Sequence, residues 1–183
     1  QLKTFVDKEI KPYVNDWDEE GRVPWELHQK AGALGVWGFG IEEKYGGLGE
    51  DDSFLRAIYN EEFAKCGAGG VGAAMGGRMI SLEPIQRLCS TEIKDRVLKD
   101  IVTGKKGSSL GITEPGGGSD VANMKTTAKR DGNHFVINGS KTFITGAMTS
   151  DYFVVGARTG GEGLTGISLF FVEADRDGFS RVP

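Results

Sequence analysis

Cysteine, histidine and proline are all scarce in this chain, with two, two and five among 183 residues. Cys66 and Cys89 form no Cys-x-x-Cys arrangement, which excludes a disulfide framework and leaves two buried or partly buried thiols in a reducing compartment as the expectation. His28 and His134 stand beside no cysteine or carboxylate cluster of ligand spacing, so no metal site is expected. An excess of positive charge is also missing. The formal net charge is −4, which argues against a nucleic-acid partner because a duplex binder needs a concentrated positive field. Lys105-Lys106 and Lys129-Arg130 are the only adjacent basic pairs, and both read as solvated surface. No apolar run approaches the roughly 18–20 residues of a membrane-spanning helix, so no membrane partner is expected.

Glycine is abundant instead, at 29 of 183 residues, against an average near ~7%. These glycines carry no collagen period and sit among ordinary apolar patterns, so they read as turns, helix ends and places where a ligand comes close to the backbone. With 38% hydrophobic and 26% charged residues the chain can bury a core, and its length suits one domain or two small ones.

The first half reads as helical. Leu2, Phe5, Val6, Ile10 and Tyr13 share a face, Pro12 should end or kink that helix, and the acidic stretch 15–22 fits a connection. Pro24 suits a first helical turn, followed by Leu27, His28, Ala31 and Leu34. Gly38 to Gly49 fits an irregular segment. Asp51, Asp52 and Ser53 are cap residues for a helix turning Leu55, Ile58, Tyr59 and Phe63 inward. A helix over 71–88 should bend or break at Pro84. Ser90 or Thr91 caps a last helix with the stripe Ile93, Val97, Leu98 and Ile101, which Gly104 stops.

From Gly107 the period changes. Strands are expected at 126–130, 134–137, 140–145, 152–158 and 167–172, with a turn at Asp131-Gly132-Asn133 and a hairpin at Asn138-Gly139. A helical block followed by a meander of strands gives an α+β class: an N-terminal all-α domain and then an antiparallel β-barrel-like domain. The strand block is short for a closed barrel and stops at Pro183 just after a turn. The chain is therefore expected to be a fragment of a longer protein.

Three motifs bear on chemistry. Gly67-Ala68-Gly69-Gly70-Val71-Gly72 satisfies G-x-G-x-x-G as a string. It follows a helical segment rather than a strand, so it reads as a helix junction and not a dinucleotide fingerprint. The segment Gly111-Ile112-Thr113-Glu114-Pro115-Gly116-Gly117-Gly118-Ser119-Asp120 is a loop suited to close backbone approach, and exposed N–H groups there suit anionic oxygens. Phe143-Ile144-Thr145, read as the end of a strand, puts Phe143 and Thr145 on one face and Ile144 toward the core. An aromatic beside a hydroxyl suits a flat heterocycle.

Thr113 through Asp120 together with Phe143 to Thr145 resembles the flavin-binding signature of the acyl-CoA dehydrogenase family. The segments Trp17–Gly21, Glu43–Gly49, Glu61–Lys65, Asp131-Gly132, Ile137–Lys141 and Phe171–Ala174 are also similar to family segments, so the resemblance spans almost the whole chain. It implies a helical domain over 1–105 and a truncated middle β-barrel domain over 106–183, with a C-terminal four-helix bundle absent. It implies FAD as cofactor. Leu110, Ile112 and Thr113 would line the flavin, Gly118 and Ser119 would meet its pyrophosphate, and Ser119 would also lie near the acyl-CoA substrate. Phe143 would pack on the isoalloxazine beside Ile144, and Thr145 would donate to N5 or O4. Phe143 replaces a frequent Trp, and Leu110 stands where some members have an aromatic.

The implied reaction is α,β-dehydrogenation of an acyl-CoA thioester. The family's catalytic base is a Glu of the C-terminal domain, so none of Glu42, Glu43, Glu61, Glu62, Glu114 or Glu173 is assigned that role, Glu114 being read as holding its loop. The fragment alone is therefore expected to be inactive. The small residues Gly69, Gly70, Gly72, Ala73, Ala74, Gly76 and Gly77 leave room for a long or bulky acyl group or serve close helix packing. The parent is expected to be a homo-oligomer, a homotetramer by the family's habit, passing electrons to an electron-transferring flavoprotein. It is expected in the cytoplasm or, in a eukaryote, the mitochondrial matrix. Rival readings are a flavin-dependent oxidase or monooxygenase of the same fold, and a non-catalytic acyl-CoA-binding homologue.

Overall fold

In the computed structural model, which describes residues 1–183, all six α-helices precede all five strands. The chain divides at Gly107 into a helical unit, Gln1–Gly107, and a sheet unit, Ser108–Pro183.

The amino end is a composite helix: α1 (Leu2–Phe5), a π turn (Val6–Ile10), a 3-10 turn (Lys11–Tyr13) and α2 (Val14–Glu20). Phe5, Val6 and Ile10 are buried as their spacing predicts, whereas Tyr13 is exposed and stacks on Trp17 with ring centroids 5.7 Å apart. Pro12 does not end the helical run. It opens a new turn, where its missing N–H costs nothing, and α2 occupies the stretch expected to be a connection. Helix α3 (Trp25–Ala33) starts after an extended Pro24 and buries Leu27, His28, Ala31 and Gly32, while Leu34 falls beyond its end and is exposed.

Helix α4 (Ser53–Ala64) is capped by the Asp52 carboxylate, which accepts from the Phe54 amide at 2.7 Å. It buries Tyr59 and Phe63 but leaves Leu55 and Ile58 40% and 55% exposed, against expectation. Helix α5 (Gly69–Leu88) runs through Pro84 without a break, because Leu82 and Ile85 on either side are fully packed. The Ser90 hydroxyl accepts from the Ile93 amide at 3.4 Å to start α6 (Thr91–Val102), and Gly104 at φ +75° ends the turn that follows it. Gly67 to Gly72 is the junction of α4 and α5, with no strand before it.

The sheet unit holds β1 (Ser108–Gly111), β2 (Thr127–Asp131), β3 (His134–Asn138), β4 (Tyr152–Arg158) and β5 (Ile167–Glu173). Strand β4 is its axis. β5 lies antiparallel along its whole length, from Tyr152↔Glu173 to Arg158↔Ile167. On the other side β1 runs parallel from Ser108↔Tyr152 to Gly111↔Val155, and β2 continues that edge with a parallel pair at Thr127↔Arg158. β2 and β3 form the antiparallel hairpin turning at Gly132, φ +57°.

The sheet is therefore mixed and not closed, which corrects the antiparallel barrel. The long excursion between β1 and β4 brings the chain back in the same direction, as a parallel pair requires. The expected strand at 140–145 is also absent. Gly139 crosses so close to Thr126 that a Cβ there would lie 2.3 Å from its hydroxyl oxygen, and the chain leaves β3 for a different set of partners. Asn138-Gly139 makes no hairpin.

One side chain fastens the far end of β4. The Arg158 guanidinium donates to the carbonyls of Met124 (3.1 Å), Gly161 (2.6 Å), Gly163 (3.1 Å) and Ala122 (2.6 Å). An ammonium cannot span that fork. Arg158→Lys is expected to destabilise the sheet unit by about 2–4 kcal/mol through lost charge-assisted bonds; the drop in urea midpoint of its strand signal measures it.

Candidate functional site

The two segments singled out by their residues meet beyond the end of β1. In the first, Pro115 and Gly116 make a tight turn, with Glu114 and Gly117 exchanging both backbone hydrogen bonds at 3.0 Å. Gly116 and Gly117 are exposed, and a Cβ at either would meet nothing within 4 Å. None of Gly116, Gly117 and Gly118 takes a left-handed φ. Their use here is open backbone, not the positive φ that their number invited. The second segment is tied to the first at successive residues: the Lys141 ammonium donates to the Ile112 carbonyl at 2.9 Å, and the Thr142 amide to the Thr113 carbonyl at 2.9 Å.

Beneath both lies Glu114, buried at 8% exposure. Its carboxylate accepts from the Lys125 amide (2.7 Å), the Thr126 amide (2.8 Å) and the Lys141 ammonium (2.9 Å). Burial alone would raise its pKa. The Lys125 amide, the Lys141 ammonium and the Thr126 amide outweigh that and hold it down at about 2. A carboxylate so thoroughly donated to cannot take up a proton near neutrality, so Glu114 is a structural anion and not a base.

Phe143 is the feature that strand reasoning misplaced. It is the chain's one non-glycine residue at positive φ, +55°, and the residue is 91% exposed. Alternation along a strand therefore does not set its direction; a left-handed backbone does. Ile144, expected in the core, is half-buried. Thr145 is exposed and opens a turn, with its carbonyl held by the buried Ser109 hydroxyl at 2.7 Å, and that hydroxyl also meets Ser150 Oγ at 2.7 Å.

The remaining site residues fall unevenly. Ile112 turns its side chain onto β4, where its δ-methyl would lie 2.9 Å from a Cβ at Gly156. Leu110 is half-buried on β1 opposite Val154. The Thr113 side chain lies against Gly118, and Gly118 and Ser119 are exposed on the loop. Lys141, Thr142 and Ser109 were missed as parts of the site. A lone lysine between Ser140 and Thr142, complementary to Glu114 in the glycine loop, was the signal for the first.

The class is the α+β fold in which a helical unit precedes an open mixed sheet. Residues 1–105 match the acyl-CoA dehydrogenase N-terminal domain, and residues 109–183 match the acyl-CoA dehydrogenase middle domain. The chain belongs to the acyl-CoA dehydrogenase family. It is 36% identical over 183 residues to the mitochondrial long-chain specific acyl-CoA dehydrogenase of Rattus norvegicus, covering 98% of this chain and 42% of that one. The crystal structure of a probable acyl-CoA dehydrogenase from Mycobacterium abscessus matches with a TM-score of 0.90 at 37% identity, over 97% of this chain and 47% of that one. A structure of PigA with FAD and proline matches with a TM-score of 0.88 at 29% identity, over 97% and 47%. The chain thus spans about half the length of the relatives it matches.

Proposed function

We propose that this chain supplies the helical and middle domains, 1–105 and 106–183, of an FAD-dependent acyl-CoA dehydrogenase. The observation that carries the reading is the joining of an open glycine loop to an exposed aromatic in a left-handed backbone, both fastened from below by Glu114 and Lys141. Strain of that kind persists where surrounding structure over-determines it, and it concentrates at ligand sites. The residues suit FAD in their chemistry: open N–H groups for a pyrophosphate, a ring face for the isoalloxazine and hydroxyls for its polar edge. Bound FAD supplies the two-electron acceptor for α,β-dehydrogenation of an acyl-CoA thioester.

In this reading Gly118 and Ser119 meet the pyrophosphate, with Ser119 also beside the acyl-CoA. Thr113 and Thr145 hydrogen-bond the ring edge, and Phe143 packs on its face with Ile144 alongside. Leu110 lines the same wall. Ile112, with its side chain packed on β4, contributes main chain. Glu114 stays ionised and moves no proton, and the proton acceptor is assigned to no residue of this chain. On α5, a Cβ at Gly69, Gly70, Gly72 or Gly76 would enter open space, which favours room for a long acyl group over close helix packing. Completing the reading are a homo-oligomeric whole protein, an electron-transferring flavoprotein as acceptor, and a cytoplasmic or mitochondrial-matrix location.

Titration of FAD with the 183-residue chain tests the site. The expected result is saturable quenching of flavin fluorescence with a shifted visible spectrum. Ser119→Asp, which sets a carboxylate against the pyrophosphate, should weaken binding by about tenfold or more, that is 1.4 kcal/mol per decade. A wild-type chain that leaves FAD unperturbed, or Ser119→Asp binding as tightly as wild type, defeats the reading.

A further inference from the structure

Residues 141 to 145 are held at both ends. Lys141 is fixed by the Ile112 carbonyl and the Glu114 carboxylate, each at 2.9 Å, and Thr142 by the Thr113 carbonyl at 2.9 Å. At the other end the Thr145 carbonyl is fixed by Ser109 at 2.7 Å. Between them only Phe143 and Ile144 are left to close the path, and Phe143 does so at φ +55° with its ring turned out. A bulky side chain does not choose that conformation unaided.

The Lys141–Glu114 pair is not an ordinary surface contact, since the two side chains are only 11% and 9% exposed. Exposed ion pairs contribute little, but a buried one cannot lose a partner without leaving an uncompensated charge. It also joins three separate stretches of chain: the glycine loop through Glu114, the approach to β2 through Lys125 and Thr126, and the 141–145 segment through Lys141.

We propose that the Glu114–Lys141 pair is a positioning device: it holds Phe143 in its left-handed, ring-outward state, so that the aromatic and glycine-loop halves of the site exist only together. The pair touches no reacting atom and acts through the backbone of Phe143. Its consequence for FAD rests on the function proposed above. Its consequence for Phe143 does not.

The test uses the 183-residue chain labelled with ¹³C-phenylalanine, in the wild type and in Lys141→Gln, Glu114→Gln, Lys141→Arg and Arg158→Gln. Without FAD, the Phe143 Cα and Cβ shifts should report a left-handed backbone in the wild type, and should move to averaged values in Lys141→Gln and Glu114→Gln. Arg158→Gln weakens the same unit from outside the pair, and should leave the Phe143 shifts in place wherever the protein is folded. Lys141→Arg keeps the charge and guards against a Gln variant that fails to fold; it should retain the left-handed shifts. With FAD added, the two Gln variants at 141 and 114 should bind about tenfold or more weakly and lose the resolved fine structure of the bound-flavin spectrum. Arg158→Gln should bind as wild type. Phe143 shifts unmoved in folded Lys141→Gln and Glu114→Gln overturn the proposal, as do shifts moved equally by Arg158→Gln. If Phe143 moves as expected but the wild type binds no FAD, the positioning role stands and the function proposed above fails.

Discussion

Acidification from pH 7 to pH 3 is expected to remove on the order of 5 kcal/mol of stability from the helical unit through a single histidine. His28 is 6% exposed, with its ring 5.1 Å from that of Trp25 and 6.2 Å from that of Trp37, and its Nδ1 has no hydrogen-bond partner. The Arg78 guanidinium lies in the same cluster, 4.3 Å from the Trp25 ring and 5.7 Å from that of Trp37. Burial first, and the Arg78 charge second, lower the His28 pKa from 6.5 to about 3. The unfolded chain takes up this proton near pH 6.5 and the folded one does not, so stability is intact above pH 6.5 and falls as pH drops toward 3. All three tryptophans, Trp17, Trp25 and Trp37, belong to the helical unit, so their fluorescence follows it alone. His28→Phe keeps an aromatic there, and Trp37 Nε1 donates to the main-chain carbonyl of residue 28, at 3.3 Å. That variant should lower the acid midpoint by about one pH unit or more; an unmoved midpoint refutes the assignment.

Glu114 gives the sheet unit a second acid window of the same sign. Its folded pKa of about 2 lies below the ordinary 4.5. The stabilisation, about 3 kcal/mol by the size of that displacement, is complete above pH 4.5 and disappears as pH falls toward 2. A deficit in Glu114→Gln that is present at neutral pH and vanishes by pH 2 is the corresponding signature.

What could be read from the residues followed from how local each determinant is. Caps and stops are decided within a few residues, and Asp52, Ser90 and Gly104 act as their chemistry requires. The apolar stripe of α6 has one solution, with Val97, Leu98 and Ile101 fully buried. α4 does not, because Phe54, Leu55, Ile58, Tyr59 and Phe63 spread over more than one face and only packing selects Tyr59 and Phe63. Strand type at β2 to β5 was legible. Strand direction was not, since β1 pairs with β4 across some forty residues and nothing local marks such a pairing as parallel.

The site shows the same division. That the glycine loop and Phe143–Thr145 belong together could be read from a family resemblance in the residues. How they are joined could not, because it depends on Lys141 reaching a carboxylate 27 positions away. Once that side chain is claimed, residues 140–145 cannot also run beside β3. The alternation argument for Phe143 fails for that reason, although the residue stays exposed.

Glycine to alanine should change sign between two helices of the same unit. In α3, a Cβ on Gly32 would lie 2.4 Å from both the carbonyl carbon and oxygen of Thr103 and 2.8 Å from the Gly104 nitrogen. The crossing is tight from the other side as well, since a Cβ on Gly104 would lie 2.4 Å from the His28 carbonyl oxygen. The obstacles are backbone, which no rotamer change can move. Gly32→Ala should therefore cost about 3 kcal/mol or more, at the upper end of overpacking effects, because α3 must separate from the end of α6. Gly72 in α5 has nothing within 4 Å of its Cβ position and no left-handed φ. Gly72→Ala should stabilise the same unit by about 1 kcal/mol through helix propensity alone. Thermal melts followed by tryptophan fluorescence measure both, and a Gly32→Ala melt at or above wild type removes the close-crossing account. If Gly72→Ala is the more stable protein, the glycines of α5 are not there for stability. A helix that forgoes easy gains at four open positions, Gly69, Gly70, Gly72 and Gly76, then keeps a low surface for a reason other than stability, which is what the acyl-binding role proposed above requires of it.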